Sequence, residues 1–567
     1  MAKHLMSFLG TTEYKETDYY AGDISNHKSS KYILDALIDV VCKEWDWKND
    51  KISVFLTDKA RENNWEKAGT LKDILISRGL DKNIFGVDIV AGGSENEIWQ
   101  MFEQMTEAIG EGDELYIDIT NSFRFVPLLM TSVAIFAKTV KNAEVKAVYY
   151  GAFVPGENKT PILNIAGFVD VIDWSQGSQL FVKTGNIEAI NNSALATLGE
   201  HKNEGAEMER MMKNLLDMMN GLDNSQGVGT TGEDEEKITI LNAYKDYEYN
   251  KVLFISKYKN DIKMAPVYKV LKVIDEDVEI FRNAARLDSN FLMGMCAVSW
   301  YIRKGKAQQG FTALDETMKT YVCQRYGIDE IDYSVREDTV QKLCRYLNRA
   351  LDRGTSKPEK ERREKAYKKW INDIWKEDVL RDWKMSRSEE KNANVPYTSK
   401  NDSLSTVKEN QNLIDFLDEL SYGVETEELI KKYFSENIYH AWKEKKRGGS
   451  KGKVNIEKNK EKLWNLFENG VVEKIFYGLS HEFTKLKLTV GDQRNSMNHF
   501  GYTDKKLSEK PLKDLTNHFA NFVTIVEKEN GGQYVKTDDD GIVTNLSEDI
   551  LKELRALVEE AKKFVEI

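Results

Sequence analysis

The sequence predicts an α/β N-terminal domain built on a parallel sheet, followed by an all-α connector and an all-α C-terminal domain. Three observations lead there. Over residues 1–155, short apolar runs of strand length alternate with longer segments of helical period, joined by short connections. Those apolar runs are nearly continuous, as in strands covered on both faces. From about residue 186 the strand-like runs cease, and apolar residues recur every three to four positions.

Taken in order, strands are predicted at His4–Leu9, Ile52–Leu56, Ile84–Val90, Leu115–Ile119 and Val145–Tyr150, with helices near 29–44, 60–79, 94–109 and 122–141. The strands lead into Gly10-Thr11-Thr12, Thr57-Asp58, Gly92-Gly93-Ser94, Thr120-Asn121-Ser122-Phe123-Arg124 and Gly151. Ligands of open parallel sheets sit at the carboxyl ends of the strands. Small residues, hydroxyls, an amide and one arginine there suit phosphates and nucleobases, although small polar residues also end strands for turn reasons alone. Gly10-Thr11-Thr12-Glu13-Tyr14 lacks the three-glycine dinucleotide spacing, and no glycine-rich loop ends in Gly-Lys-Ser or Gly-Lys-Thr. A nicotinamide or flavin site and a P-loop ATPase are therefore disfavoured.

Residues 186–290 read as a helical connector without a catalytic group. Met208, Met211, Met212, Leu215 and Met219 form an apolar stripe, either core or a seam with a partner helix, and 224–232 reads as a mobile loop. In residues 291–567, one helix face carries Phe311, Leu314, Met318, Tyr321 and Val322, and a second carries Phe476, Leu479, Phe483 and Leu486. Leu515, Phe519, Phe522, Val523 and Val526 mark a third, and 547–566 forms the last helix. Two charged insertions interrupt this region. Residues 353–410 carry Trp370, Trp375 and Trp383, and 443–462 holds nine Lys and Arg against three Glu, or +6. The second, with Lys445, Lys446, Arg447, Lys451 and Lys453, is either a solvated loop or a guide for RNA.

Chemistry concentrates in Gly491-Asp492-Gln493-Arg494-Asn495-Ser496-Met497-Asn498-His499-Phe500. An arginine can hold a phosphate by two parallel hydrogen bonds, and a histidine moves protons near neutral pH. The pair could cleave RNA without a metal, with the 2′-hydroxyl attacking its own phosphate. The same spacing also arises by chance in a chain with seven histidines. Asp492 reads as a helix N-cap, which would put Arg494 and Asn495 in the first turn, where backbone donors favour an anion. Positions five apart lie about 140° around a helix axis. Either the arginine swings round or a second copy of the motif completes the site; the second reading is adopted. His481 and His518, on or beside apolar faces, read as structural.

The 567 residues carry a net charge of −12, which argues against coating nucleic acid along the whole surface but leaves room for a local basic channel. No apolar run approaches the roughly 20 residues of a membrane span. Cys42, Cys296, Cys323 and Cys344 show no metal spacing, read as core filling and point to a reducing cytoplasm. The carboxylates form no cage with histidines, so no metal or cofactor is expected.

Asp118-Ile119-Thr120-Asn121-Ser122-Phe123-Arg124-Phe125-Val126-Pro127 resembles the Asp-x-Thr-His-x-Phe-Arg-x-x-Pro signature of CRISPR-associated Rossmann-fold (CARF) proteins, with Asn121 where the family often has histidine. With Leu5-Met6-Ser7-Phe8-Leu9-Gly10-Thr11-Thr12, the resemblance covers residues 1–185. Arg494, Asn495 and His499 in a helical domain resemble the HEPN ribonucleases. The resemblance implies a Rossmann-like sheet in a domain that pairs about a two-fold axis. It also implies a shared pocket for a cyclic oligoadenylate, cyclic tetra-adenylate being favoured and hexa- or tri-adenylate the alternatives. Thr11, Thr12, Thr120, Asn121, Ser122 and Arg124 would line it, joined by the strand-end residues Gly10, Thr57, Gly92 and Gly93. Asp118 would brace its own loop. The chain is thus expected to be a homodimeric or larger endoribonuclease, with Arg494, Asn495 and His499 cutting single-stranded RNA. The alternatives are a nucleotide-sensing regulator with an inactive helical domain, and a sensor that also degrades its own ligand.

Overall fold

A computed structural model describes residues 2–23, 25–188, 190, 206–223, 227–231, 236–260, 264–330, 336–352, 358–367, 369–370, 470–498, 509–530 and 545–565. They divide into two units, one built mainly from residues up to Gln179, the other from Ala206–Asn260 and the chain from Leu271 onward.

In the first unit, β1 (Lys3–Phe8), β4 (Lys51–Leu56), β5 (Ile84–Asp88), β6 (Glu114–Asp118) and β7 (Glu144–Gly151) run parallel in the order β7-β6-β1-β4-β5. The five predicted strands are all present. Alternate residues of the central strands feed two cores. Leu5, Ile52 and Val54 pack with α1 (Ile33–Val40) and α3 (Leu71–Ser77). Met6, Phe8 and Phe55 pack with Met101 and Met105 of α4 (Glu95–Glu107) and with Val126, Met130 and Val133 of α5 (Val126–Val140). Burial on both faces is why these strands read as unbroken apolar runs.

Three further strands extend the sheet to eight, in the order β3-β2-β8-β7 at one edge: β2 (Thr17–Tyr20), β3 (His27–Ser30) and β8 (Lys159–Asn164). β8 runs antiparallel to β7, β2 parallel to β8, and β3 antiparallel to β2. None was predicted, because all three are short and polar. The predicted helix at 29–44 begins late for the same reason: His27–Ser30 is committed to the sheet. The predicted helix at 60–79 is two helices, α2 (Asp58–Asn64) capped by the Thr57 hydroxyl, and α3, which starts after Thr70.

The second unit is mostly helical. The methionine stripe lies on α7 (Ala206–Asp223), fully buried within the chain, and α7 packs on α8 (Ile240–Tyr258). The stripe is therefore core and not a subunit seam. The loop predicted at 224–232 is corrected in part. Val228–Thr231 forms β9, antiparallel to β10 (Glu236–Thr239), while 224–226 and 232 lie outside the described residues. Beyond them, α11 (Asn290–Arg303), α12 (Ala307–Arg325), α13 (Leu343–Leu351), α14 (Val471–Gly478), α15 (His481–Asn498), α16 (Pro511–Asn530) and α17 (Glu548–Lys563) carry the three predicted apolar faces, all buried. Their core is aromatic. Tyr321 lies 5.5 Å from Phe291, 6.0 Å from Phe483 and 5.7 Å from Phe522 between ring centroids. The Tyr321 hydroxyl donates to Glu529 Oε2 at 2.9 Å and Ser480 Oγ donates to Glu529 Oε1 at 2.7 Å, so this buried carboxylate is satisfied on both oxygens. All four cysteines are free and buried, and burial pushes each thiol well up, making it a poor nucleophile.

Candidate functional site

The strand order reverses between β1 and β6, the switch point at which open α/β sheets bind ligands. A fully buried carboxylate organises it. Asp118 Oδ2 accepts from Ser7 Oγ at 2.7 Å, tying β6 to β1, and Oδ1 accepts the Thr120 backbone N–H at 3.0 Å, bracing its own loop as expected. Burial raises the Asp118 pKa against these hydrogen bonds. Thr120 Oγ1 accepts from the Gly151 amide at 2.8 Å, bringing the end of β7 to the same place.

The loop after β1 is held from three sides. Asn64 Nδ2 of α2 donates to Gly10 O and Thr12 O, both at 2.9 Å. Asn63 Nδ2 donates to Thr11 O at 3.0 Å, and the Gly10 amide donates to the Tyr14 hydroxyl at 2.6 Å. A Cβ on Gly10 would stand 3.6 Å from Asn121 O, so the loops after β1 and β6 are neighbours. Gly92 meets the second of these loops: a Cβ there would fall 2.5 Å from Phe125 Cζ. Phe125 in turn stacks on Phe123, with centroids 6.0 Å apart and planes 3° from parallel.

The predicted residues therefore separate by role. Thr57 caps α2, Thr120 holds Gly151, Ser122 Oγ donates to Ile119 O at 2.8 Å, and the Gly93 amide donates to Glu97 Oε2 at 2.9 Å. These groups shape the loops. The hydroxyls of Thr11 and Thr12, the Asn121 side chain and the exposed Arg124 guanidinium have no hydrogen-bond partner among the described residues. Sequence reasoning missed Tyr14, Asn63 and Asn64, which carry no motif and act through loop carbonyls and an amide.

In the second unit, α15 begins after Ser480, whose hydroxyl accepts the Phe483 amide at 3.1 Å, and runs through Gly491 and Asp492 to Asn498. The expected N-cap at Asp492 is thus wrong. Arg494 and Asn495 therefore lie well inside the helix and not in a first turn with free backbone amides. Arg494 Nη1 donates to Asp315 Oδ2 of α12 at 2.8 Å. Its Nη2 and Nε approach Asn495 Oδ1 at 3.1 and 3.4 Å. The other Asp315 oxygen binds Lys487, whose Nζ also donates to Gln341 Oε1 at 2.6 Å. Asp315 and Lys487 are both fully buried. Burial lowers the Lys487 pKa, opposed by Asp315. Glu316 Oε1 stands 3.6 Å from Arg494 Nη1, while Lys319 and Arg336 pair with the same carboxylate at 2.9 and 3.1 Å. Asn498 Oδ1 accepts from Gln308 Nε2 of α12 at 3.0 Å.

His499 lies outside the described residues, as do Lys445, Lys446, Arg447, Lys451 and Lys453. His481 Nε2 is 3.0 Å from Asp352 Oδ1, and His518 packs against Phe311 with centroids 6.1 Å apart, both in structural roles. Among the described residues no helix is long and apolar enough to cross a membrane.

Comparison with known proteins gives two matches. Residues 4–155, the part that carries the strand-tip site, match the family model described as the CARF domain of the CRISPR system endoribonuclease Csx1. The chain is also 24% identical over 301 residues to the CRISPR-associated protein MJ1674 of Methanocaldococcus jannaschii, an alignment covering 51% of this chain and 39% of that protein. The chain thus spans about two fifths of the length of the curated relative it matches. The N-terminal unit is similar to a CARF domain, and the chain to a CRISPR-associated protein.

Proposed function

We propose that the chain is a homodimeric, metal-independent endoribonuclease, switched on by a cyclic oligoadenylate and cutting single-stranded RNA in type III CRISPR antiviral defence. One observation carries this reading. A chain whose residues 4–155 match the CARF domain of an endoribonuclease also holds, in a separate helical unit, an arginine fixed five positions before His499.

The ligand sits at the tips of β1 and β6. Thr11 and Thr12 hydroxyls and the Asn121 amide read nucleobase or ribose edges, and Arg124 neutralises phosphate. Cyclic tetra-adenylate is the favoured ring. Binding biases two arrangements of the paired protomers, residues 186–290 relay the bias, and the two copies of the arginine–histidine motif meet around RNA. Lys445 to Lys453 steer the strand.

Cleavage follows from the groups. The 2′-oxygen forms a bond to the adjacent phosphorus and loses its proton, while the P–O5′ bond breaks and the 5′-oxygen gains one. The products are a 2′,3′-cyclic phosphate and a 5′-hydroxyl. His499 serves one of the two proton transfers. Arg494 stabilises the charge on the pentavalent phosphate: among the described residues, Asp315 and Asn495 occupy three of its five N–H donors and leave two. Asn495 holds its guanidinium.

Cleavage of unstructured RNA should be measured with cyclic tri-, tetra- and hexa-adenylate side by side. One ring is expected to activate, and Arg494→Ala or His499→Ala to abolish cutting while ligand binding persists. Either variant cutting at the parental rate would end the assignment. Ligand binding without cleavage at any dose would leave a nucleotide-sensing regulator. Linear product from the ligand with His499→Ala would show that the first unit degrades it.

A further inference from the structure

We infer that Asp315 is a positioning residue for cleavage: it fixes the Arg494 guanidinium, while Lys487 cancels the carboxylate charge and so leaves the arginine's charge for the RNA phosphate. This rests on the nuclease reading above and goes beyond it, because neither Asp315 nor Lys487 belongs to the arginine–histidine motif.

The geometry is that of an anchored carboxylate. A half-buried arginine left without a partner samples many rotamers, and a catalytic guanidinium must hold one. Asp315 Oδ2 takes Arg494 Nη1 at 2.8 Å, and Oδ1 is held by Lys487, itself fixed by Gln341 at 2.6 Å. A carboxylate bound on both oxygens cannot turn away. Gly491, one turn before Arg494, allows the close approach, since a Cβ there would come 3.3 Å from Asp315 Oδ1.

The charges make the same case. An aspartate alone beside Arg494 would neutralise it and repel phosphate. Here two cations, Lys487 and Arg494, face one carboxylate, so 2 − 1 leaves one positive charge. Glu316, the nearest other carboxylate, is shared with Lys319 and Arg336. A fully buried ion pair is a poor way to gain stability, because apolar residues of similar size often do as well. Its use under Arg494 points to orientation. Gln308, on the same helix as Asp315, holds Asn498 at 3.0 Å, so α12 supports the residue before His499 as well.

The test uses the full chain with its activating cyclic adenylate and compares kcat and KM for RNA in Asp315→Asn, Arg494→Ala, and Asp315→Asn combined with Lys487→Gln. The double variant replaces the buried ion pair with two neutral amides, so it leaves no unpaired buried charge and guards against loss of fold. Expected is a loss of about 100-fold in kcat for both Asp315 variants. KM should stay within about threefold. Added to Arg494→Ala, Asp315→Asn should change residual cleavage and the affinity for 2′-O-methyl RNA no further. Parental kcat in the folded double variant, with Arg494→Ala inactive, would overturn the positioning role alone. Parental cleavage by Arg494→Ala would overturn the nuclease reading, and the positioning role with it.

Discussion

Gly92 is where the strand-tip loops can be tested by adding one methyl group. Its φ is +74°, and a Cβ would fall 2.5 Å from Phe125 Cζ and 3.1 Å from its Cε1. Gly92→Ala therefore incurs two costs. The left-handed backbone alone costs a non-glycine residue about 1–2 kcal/mol. Overpacking adds about 1–3 kcal/mol, because Phe125 sits at the N-cap position of α5, stacks on Phe123 and has little room to retreat. Gly79 supplies the control. Its φ is +78°, yet nothing lies within 4 Å of the added carbon, so Gly79→Ala measures the backbone cost by itself. Gly79→Ala should lose about 1–2 kcal/mol and Gly92→Ala about 2–5 kcal/mol. Hydrogen exchange of β1 and β6 amides in graded urea reads this unit within the intact chain. In the same samples Gly92→Ala should weaken binding of the cyclic adenylate, since Arg124 lies between the two displaced phenylalanines, and Gly79→Ala should not. Equal destabilisation by the two variants would refute the argument, because the Phe125 contact would then carry no energy.

Two further outcomes are expected. His4 is buried between Asp113 Oδ2 at 3.2 Å and Ser53 Oγ at 2.8 Å; burial lowers its pKa below 6.5, the Asp113 hydrogen bond opposes this and Lys51 adds to it. With the folded value below the unfolded one, the neutral ring's contribution is full above the unfolded pKa. It is lost as pH falls through the folded one, so the urea midpoint of the first unit should drop as the pH is lowered below about 6.5. His4→Phe should remove that slope, and an unchanged slope would assign it elsewhere. On the outer face of α5, Leu128, Ser132, Phe136 and Val140 are exposed and uncharged, Leu128 at 76%. Under the homodimer reading, Leu128→Glu should alter stability by less than about 0.5 kcal/mol while shifting the sedimentation of the chain toward monomer. A dimer indifferent to the charge would place the pairing surface off this helix.

What could be read from the sequence depended on how each residue's partners are distributed along the chain. β1, β4, β5, β6 and β7 pack on both faces, so their composition announced them. β3, His-Lys-Ser-Ser, is an edge strand whose only strand partner among the described residues is β2, and backbone pairing leaves no mark on side-chain pattern. The strand-tip loops were legible as a group because Thr120-Asn121-Ser122-Phe123-Arg124 is contiguous. Which of their hydroxyls were already spent was not, since Thr120 answers to Gly151 across 31 residues.

The arginine centre shows the limit most sharply. Asp492 followed by a polar turn looks locally like a helix start, but the contact that decides the matter joins Arg494 to Asp315 across 179 residues. With Gly491 packed near Asp315 and Lys487 bound to it, α15 is held to α12 on both sides of Asp492 and passes straight through. The reversal changes the electrostatics of any phosphate bound there. At an N-terminus free backbone amides would attract the anion; within a helix those amides are already bonded to carbonyls. Attraction must then come wholly from side-chain cations, and an arginine paired one-to-one with an aspartate would have none to spare. Lys487 resolves that conflict at the cost of burying an ammonium, which explains a fully enclosed lysine seven residues before a half-buried arginine.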